Sequence, residues 1–123
     1  MPNNAPADAG QRAFGEAALK GKLLLGLCRD TGQHFFYPRA TSPFTLSPNV
    51  AYVEAAGTGT IYSVTVARGK QPLALAVVEL AEGPRMLTNI VECDLDSVRI
   101  GQAVRLIWQE REGRGKVAVF TPA

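Results

Sequence analysis

Cys28 and Thr31 stand at the spacing of a C-x-x-C zinc knuckle, and Ser42 and Thr45 stand at the same spacing further along. Two such knuckles each close a tight turn and together gather four thiolates around one tetrahedral ion. Here sulfur occupies one of the four positions and hydroxyls occupy the other three. Neutral hydroxyls are poor zinc ligands, and a single thiolate does not hold the ion. The pattern therefore predicts a scaffold that keeps its turns and has lost its zinc.

The other groups capable of chemistry are few. Cys28 and His34, the one histidine, lie six residues apart and could form a nucleophile–base pair. Such a pair needs a third group to orient the base, and none is evident. Cys28 is accordingly expected to be a relic ligand, His34 a strand-edge residue, and the chain to carry no catalytic residue. Cys93, between Glu92 and Asp94, reads as a half-buried small hydrophobe. A metal site from Cys28, Asp30, His34 and Cys93 is not expected.

These residues must be positioned by the elements around them. Residues 1 to about 7 read as a disordered tail, and Asp8 with Gln11 as a capping box opening a short helix. Phe14, Ala17 and Ala18 share one face of that helix, and Gly21 ends it. Leu23-Leu24-Leu25 leads into the Cys28 turn, and His34-Phe35-Phe36-Tyr37 leads out to Pro38. Strands are then expected over Ala51–Ala56, Thr60–Ala67, Leu73–Leu80 and Arg85–Glu92, with a bulge or bend at Gly57-Thr58-Gly59. In the last of these Met86, Thr88 and Ile90 face one side and Leu87, Asn89 and Val91 the other. Asp94-Leu95-Asp96-Ser97 reads as a single turn, and Val104–Gln109 with Lys116–Phe120 as a terminal hairpin. Five or six strands in so short a stretch predict a small antiparallel barrel, best matched by the OB-fold. The expected division is 1–21 tail and helix, 22–48 degenerate rubredoxin-like zinc ribbon, and 49–123 OB barrel.

Composition bounds the rest. The 123 residues suffice for one real core, and 46% hydrophobic with 20% charged residues is ordinary for a globular chain. Thirteen basic against eleven acidic side chains leave a charge of +2, too weak to define a nucleic-acid surface. Two cysteines make no disulfide framework, and the polar, proline-bearing start lacks a secretory pattern, so a cytoplasmic location is expected. The longest apolar run, Pro72–Val78, is far too short to span a bilayer.

The order of motifs then becomes informative. Phe14-Gly15-Glu16-Ala17-Ala18 is followed by Gly21-Lys22-Leu23-Leu24-Leu25, the Cys28 knuckle and Phe35-Phe36-Tyr37-Pro38-Arg39. After the second knuckle come Gly57-Thr58-Gly59-Thr60 through Val66, Glu82-Gly83-Pro84-Arg85 through Asn89, and Ile100-Gly101-Gln102-Ala103-Val104. In this order, over residues 11 to 122, the chain resembles the acyl-CoA-associated OB-fold family, once catalogued as domain of unknown function number thirty-five. That resemblance implies a helix, a zinc ribbon and an OB barrel in a small subunit of a thiolase-fold enzyme (a thiolase, an aldolase or an acyltransferase). There the subunit would shape the channel for an acyl or acyl-CoA substrate. Thr31, Ser42 and Thr45 depart from the family pattern, so its structural zinc is not carried over. Packing of Phe35, Phe36 and Tyr37, each ring worth about 1.5–3 kcal/mol when buried, is expected to hold the ribbon instead.

Under this resemblance Arg39, Arg68, Lys70 and Arg85 become candidates for the phosphates of coenzyme A, since guanidinium forks and ammonium groups suit phosphate. Arg111 and Arg114 are assigned to the solvated rim of the terminal hairpin. Phe14, Phe35, Phe36, Tyr37 and Phe44 become candidates for docking the partner. The expected function is a non-catalytic accessory subunit with no prosthetic group, a coenzyme A thioester as its ligand, and neither nucleic acid nor membrane as partner. Two alternatives stand beside it. One is an OB-fold that binds single-stranded nucleic acid through stacked aromatics such as Tyr62, although Trp108 reads as core or interface. The other is a self-sufficient thioesterase or acyltransferase using Cys28 and His34.

Overall fold

The computed structural model describes residues 9–113 and 115–123. The expected tail, the Asp8 cap and Arg114 lie outside the described residues. The chain divides into two compact units, one ending at Glu54 and the other spanning Ala55–Ala123.

The first unit begins with α1 (Ala9–Leu19). The turn after it closes through Lys20 and Gly21 amides on the Ala17 and Ala18 carbonyls, with Gly21 at a φ of 73° that a side chain would resist. Strands β1 (Leu24–Cys28), β2 (His34–Phe35) and β3 (Val50–Glu54) form an antiparallel sheet ordered β2-β1-β3. Leu23, Leu25, Cys28 and Phe35 are buried on it. Gly26 is required at its place. A side chain there would overlap the ring of Phe35, its cross-strand partner.

One expectation changes here. The strand around residues 50–54 pairs along its whole length with β1, Leu24↔Glu54 through Cys28↔Val50, and so belongs to the first unit rather than to the barrel. The reason is local. A ribbon of two short strands leaves one edge of β1 open, and the next extended segment in the chain fills it.

The second unit is a closed barrel of five strands: β4 (Thr58–Ala67), β5 (Leu73–Leu80), β6 (Arg85–Ile90), β7 (Ala103–Arg111) and β8 (Gly115–Pro122). They neighbour one another in the order β4-β5-β6-β8-β7, and β7 returns to β4 through Thr58↔Arg105 to Thr60↔Ala103. Adjacent strands run antiparallel except for the short parallel contact Ile90↔Phe120 between β6 and β8. This is the OB arrangement. It follows from alternation along the strands: Ala74, Ala76, Val78 and Leu80 point inward from β5, and Met86, Thr88 and Ile90 from β6. Ile61, Val104, Val119 and Phe120 complete the core. Gly59 lets β4 approach β5 closely, since a Cβ there would meet the Glu79 carbonyl oxygen at 2.6 Å. The register slips between Ile61 and Ser63, a bulge that turns Tyr62 out to solvent. Between β6 and β7 the 3-10 turn Leu95–Ser97 is capped by Asp94, whose side chain accepts from the Asp96 amide. Among the described residues no helix is long and apolar enough to cross a membrane.

Candidate functional site

The four knuckle positions do meet. The Ser42 oxygen accepts the backbone N–H groups of Phe44 (3.1 Å) and Thr45 (3.3 Å), and the Thr31 oxygen accepts that of Gln33 (3.2 Å). The Ser42 and Thr31 hydroxyls also favour the ionised form of the Cys28 sulfur. Thr45 Oγ1 lies 4.0 Å from the same sulfur and donates to Asp30 Oδ2 at 3.0 Å, while Asn49 Nδ2 donates to Asp30 Oδ1 at 2.9 Å. The hydroxyl of Ser42, then that of Thr31, with backbone help from Thr31 and Asp30, pulls the Cys28 thiol down to about 7. The amide of Asn49 and then the hydroxyl of Thr45 hold the Asp30 carboxyl below its usual range.

This donor set does not suit zinc. It offers one sulfur, and the other three positions hold neutral hydroxyls, of which that of Thr45 donates to Asp30. What joins the two turns is a network of hydroxyls around a buried thiol. His34 is not part of it. His34 is paired with Leu27 across the sheet, and Cys28, the next residue, points to the opposite face.

The aromatic candidates fall into two groups. Phe35 is buried and meets the half-exposed Phe44 edge-on, with ring centroids 6.2 Å apart. Phe14 of α1 meets Phe36 and Tyr37 edge-on at 5.7 and 5.8 Å, and Phe36 and Tyr37 lie 4.0 Å apart. Tyr37 is 56% exposed. Phe14 and Tyr37, with Gln11, Pro38 and Arg39, line a cleft of about 450 Å³. Gly10 makes this face, because only a glycine lets the first turn of α1 lie against the Pro38 carbonyl and the Arg39 amide. The Tyr52 hydroxyl fixes the same segment by donating to the Arg39 carbonyl at 3.1 Å.

The basic candidates are dispersed rather than convergent. Arg39 stands at the aromatic cleft with its side chain exposed. Arg68 is ion-paired with Asp96. Arg85 donates from Nε to Glu79 Oε2 at 3.1 Å and lays its guanidinium 3.7 Å above the Tyr62 ring, using both its charge and its flat face within the barrel. Lys70 is exposed on the loop between β4 and β5. Arg111, assigned from the sequence to the solvated rim, is placed by the structure half-buried in a second cleft, on the barrel, with Asn89 and Cys93. Its position at the end of a strand carried no signal that would separate it from a rim residue. The Cys93 thiol there is pushed up by burial and by the charge of Asp94.

These geometries can be set beside known proteins. A solved chain described as "Ltp2-ChsH2(DUF35) aldolase" superposes with a TM-score of 0.83 at 32% identity, covering 98% of both chains. The chain belongs to the DUF35 family of OB-fold proteins. The model of the ChsH2 C-terminal OB-fold domain matches residues 52–109 of this DUF35 protein. A protein of Methanothermobacter thermautotrophicus named "DUF35 domain-containing scaffold protein" is 29% identical over 102 residues, covering 76% of this chain and 77% of that one. A "Probable enoyl-CoA hydratase alpha subunit" of Thermomonospora curvata is 36% identical over 114 residues. That match takes in 88% of the DUF35 chain described here, which spans only 36% of the relative's length. A DUF35 structure from Sulfolobus solfataricus, 14% identical with a TM-score of 0.72, shares the fold.

Proposed function

We propose that this DUF35 protein is a non-catalytic accessory subunit that docks on an enzyme of the thiolase fold and helps wall its acyl or acyl-CoA channel. The observation that carries this is the aromatic face of the first unit, where Phe14, Phe36 and Tyr37 pack around one another beside a cleft. Exposed aromatic clusters of this kind are the usual anchors of protein interfaces. The words "scaffold protein" and "aldolase" attached to the relatives support the subunit role, and "enoyl-CoA hydratase alpha subunit" supports acyl-CoA as the substrate class.

In this reading the chain contributes position and shielding rather than a reacting group. Arg39 leads among the coenzyme A candidates. It sits at the mouth of the aromatic cleft, whereas Arg68 and Arg85 are engaged with Asp96 and Glu79. Phe44, beside Phe35, extends the docking surface, and Lys70 remains a peripheral phosphate contact. Zinc has no part in the reading, because three of the four knuckle positions carry neutral hydroxyls.

Capture of the tagged chain from its own host, followed by mass spectrometry, tests the proposal. It requires a thiolase-fold enzyme in stoichiometric amount and no acyl-CoA turnover by the chain alone. Turnover by the isolated chain, or an equimolar partner of another fold, would overturn it.

A further inference from the structure

Arg111 closes β7 with its side chain half-buried, in a cleft of about 600 Å³ on the barrel. Its Nη2 donates to Asn89 Oδ1 at 3.3 Å and to Gln109 Oε1 at 3.2 Å. Asn89 is itself oriented, because its Nδ2 donates to the Ala74 carbonyl at 3.1 Å and so turns Oδ1 toward the guanidinium. Both recorded partners are neutral amide oxygens. Arg68 and Arg85 each have a carboxylate, but among the described residues none lies within ion-pair distance of Arg111. Its Nε and Nη1 meet no protein acceptor among those residues.

A partly desolvated cation that is held in place without a counter-ion is poised for an anion from outside. The rest of the cleft narrows the choice. Pro72, Leu73, Ile90 and Leu95 give it apolar walls, and Glu92 also lines it. Asp94 is close enough for its charge to reach Cys93 on the same cleft. These two carboxylates repel a doubly charged phosphate about twice as strongly as a monoanion, so a single carboxylate hydrogen-bonded to the guanidinium is the anion they oppose least. The volume falls within the range of small-molecule sites.

We propose that this cleft binds a small carboxylate with an apolar body, its carboxylate on Arg111 Nε and Nη1 and its body against Pro72, Leu73, Ile90 and Leu95. The site lies wholly in the barrel unit. It shares no residue with the aromatic face, so it stands or falls separately from the docking proposal.

The test is a titration of the full chain, labelled for amide correlation spectra, with hexanoate, with hexanamide and with inorganic phosphate. Hexanoate should give saturable shifts at Asn89 to Cys93 and at Arg111. Hexanamide, which keeps the body and loses the charge, should bind about tenfold or more weakly, the scale of a charge-assisted hydrogen bond. Arg111→Gln should weaken hexanoate by a similar factor, and Arg111→Lys should recover part of it. Equal binding of amide and carboxylate would overturn the proposal, and that comparison needs no variant to fold. So would hexanoate shifts that persist in Arg111→Gln, shifts confined to other residues or absent altogether, or tighter binding of phosphate than of hexanoate.

Discussion

Cys28 Sγ and Thr45 Oγ1 lie 4.0 Å apart across the two knuckle turns, although 17 positions separate them in the chain. The hydroxyls of Ser42 and Thr31 lower the pKa of the same sulfur. Positions spaced like two metal knuckles are thus joined at one end by side-chain contacts, with Thr45 also donating to Asp30.

Sulfur at all four positions should create a metal site. The variant Thr31→Cys, Ser42→Cys, Thr45→Cys is expected to bind one equivalent of zinc, and to show the visible absorption of tetrahedral thiolate coordination when loaded with cobalt. Native mass spectrometry and the cobalt spectrum check this. A triple variant that folds and takes up no metal would show that the four positions do not converge.

The two thiols should titrate apart. Cys28 is drawn down from 9.0 to about 7 by its hydroxyl donors, and Cys93 is pushed up by burial. An acid whose folded pKa lies below its unfolded one binds fewer protons when folded, so stability rises with pH between the two values. The contribution of Cys28 is thus fully present above about 9 and lost as pH falls through about 7. Urea midpoints across that window should climb in the wild type relative to Cys28→Ser. Parallel curves for the two proteins would refute the depressed thiol.

Two glycines of the same helix should respond in opposite senses. Gly10→Ala must push α1 off the Pro38–Arg39 backbone and is expected to cost about 1–3 kcal/mol, the scale of overpacking. Gly15 has open space around its Cβ position, and Gly15→Ala should stabilise by about 0.5–1 kcal/mol. Denaturant unfolding measures both. Similar effects from the two substitutions would mean that α1 does not rest on that segment.

Much of this was readable from residue order. Alternation fixed the inward set Met86, Thr88 and Ile90, and Leu73–Leu80 emerged as β5 with its expected bounds. Spacing alone located Thr31, Ser42 and Thr45, because knuckle geometry depends on the turn rather than on the ligand atom. What stayed hidden depends on pairing between distant segments. The attachment of β3 to β1 was not visible, since either sheet could accept an extended strand. The rings of Phe35, Phe36 and Tyr37 do pack, but the side-chain network of Asp30, Thr45 and Asn49 beside Cys28 had no signal in the sequence. The basic residues were the least legible. A sequence does not say that Arg85 will meet Glu79 and Tyr62, or that Arg111 will meet the amides of Asn89 and Gln109.

The docking proposal is tested most directly by the affinity of the purified chain for the thiolase-fold enzyme proposed as its partner, measured by titration calorimetry for wild type, Phe36→Asp and Tyr37→Ala. Circular dichroism of each variant checks that the fold is kept. The account predicts that Phe36→Asp weakens association about thirtyfold or more, as expected of an aromatic anchor, and that Tyr37→Ala weakens it in the same direction. Wild-type affinity in both folded variants would contradict it.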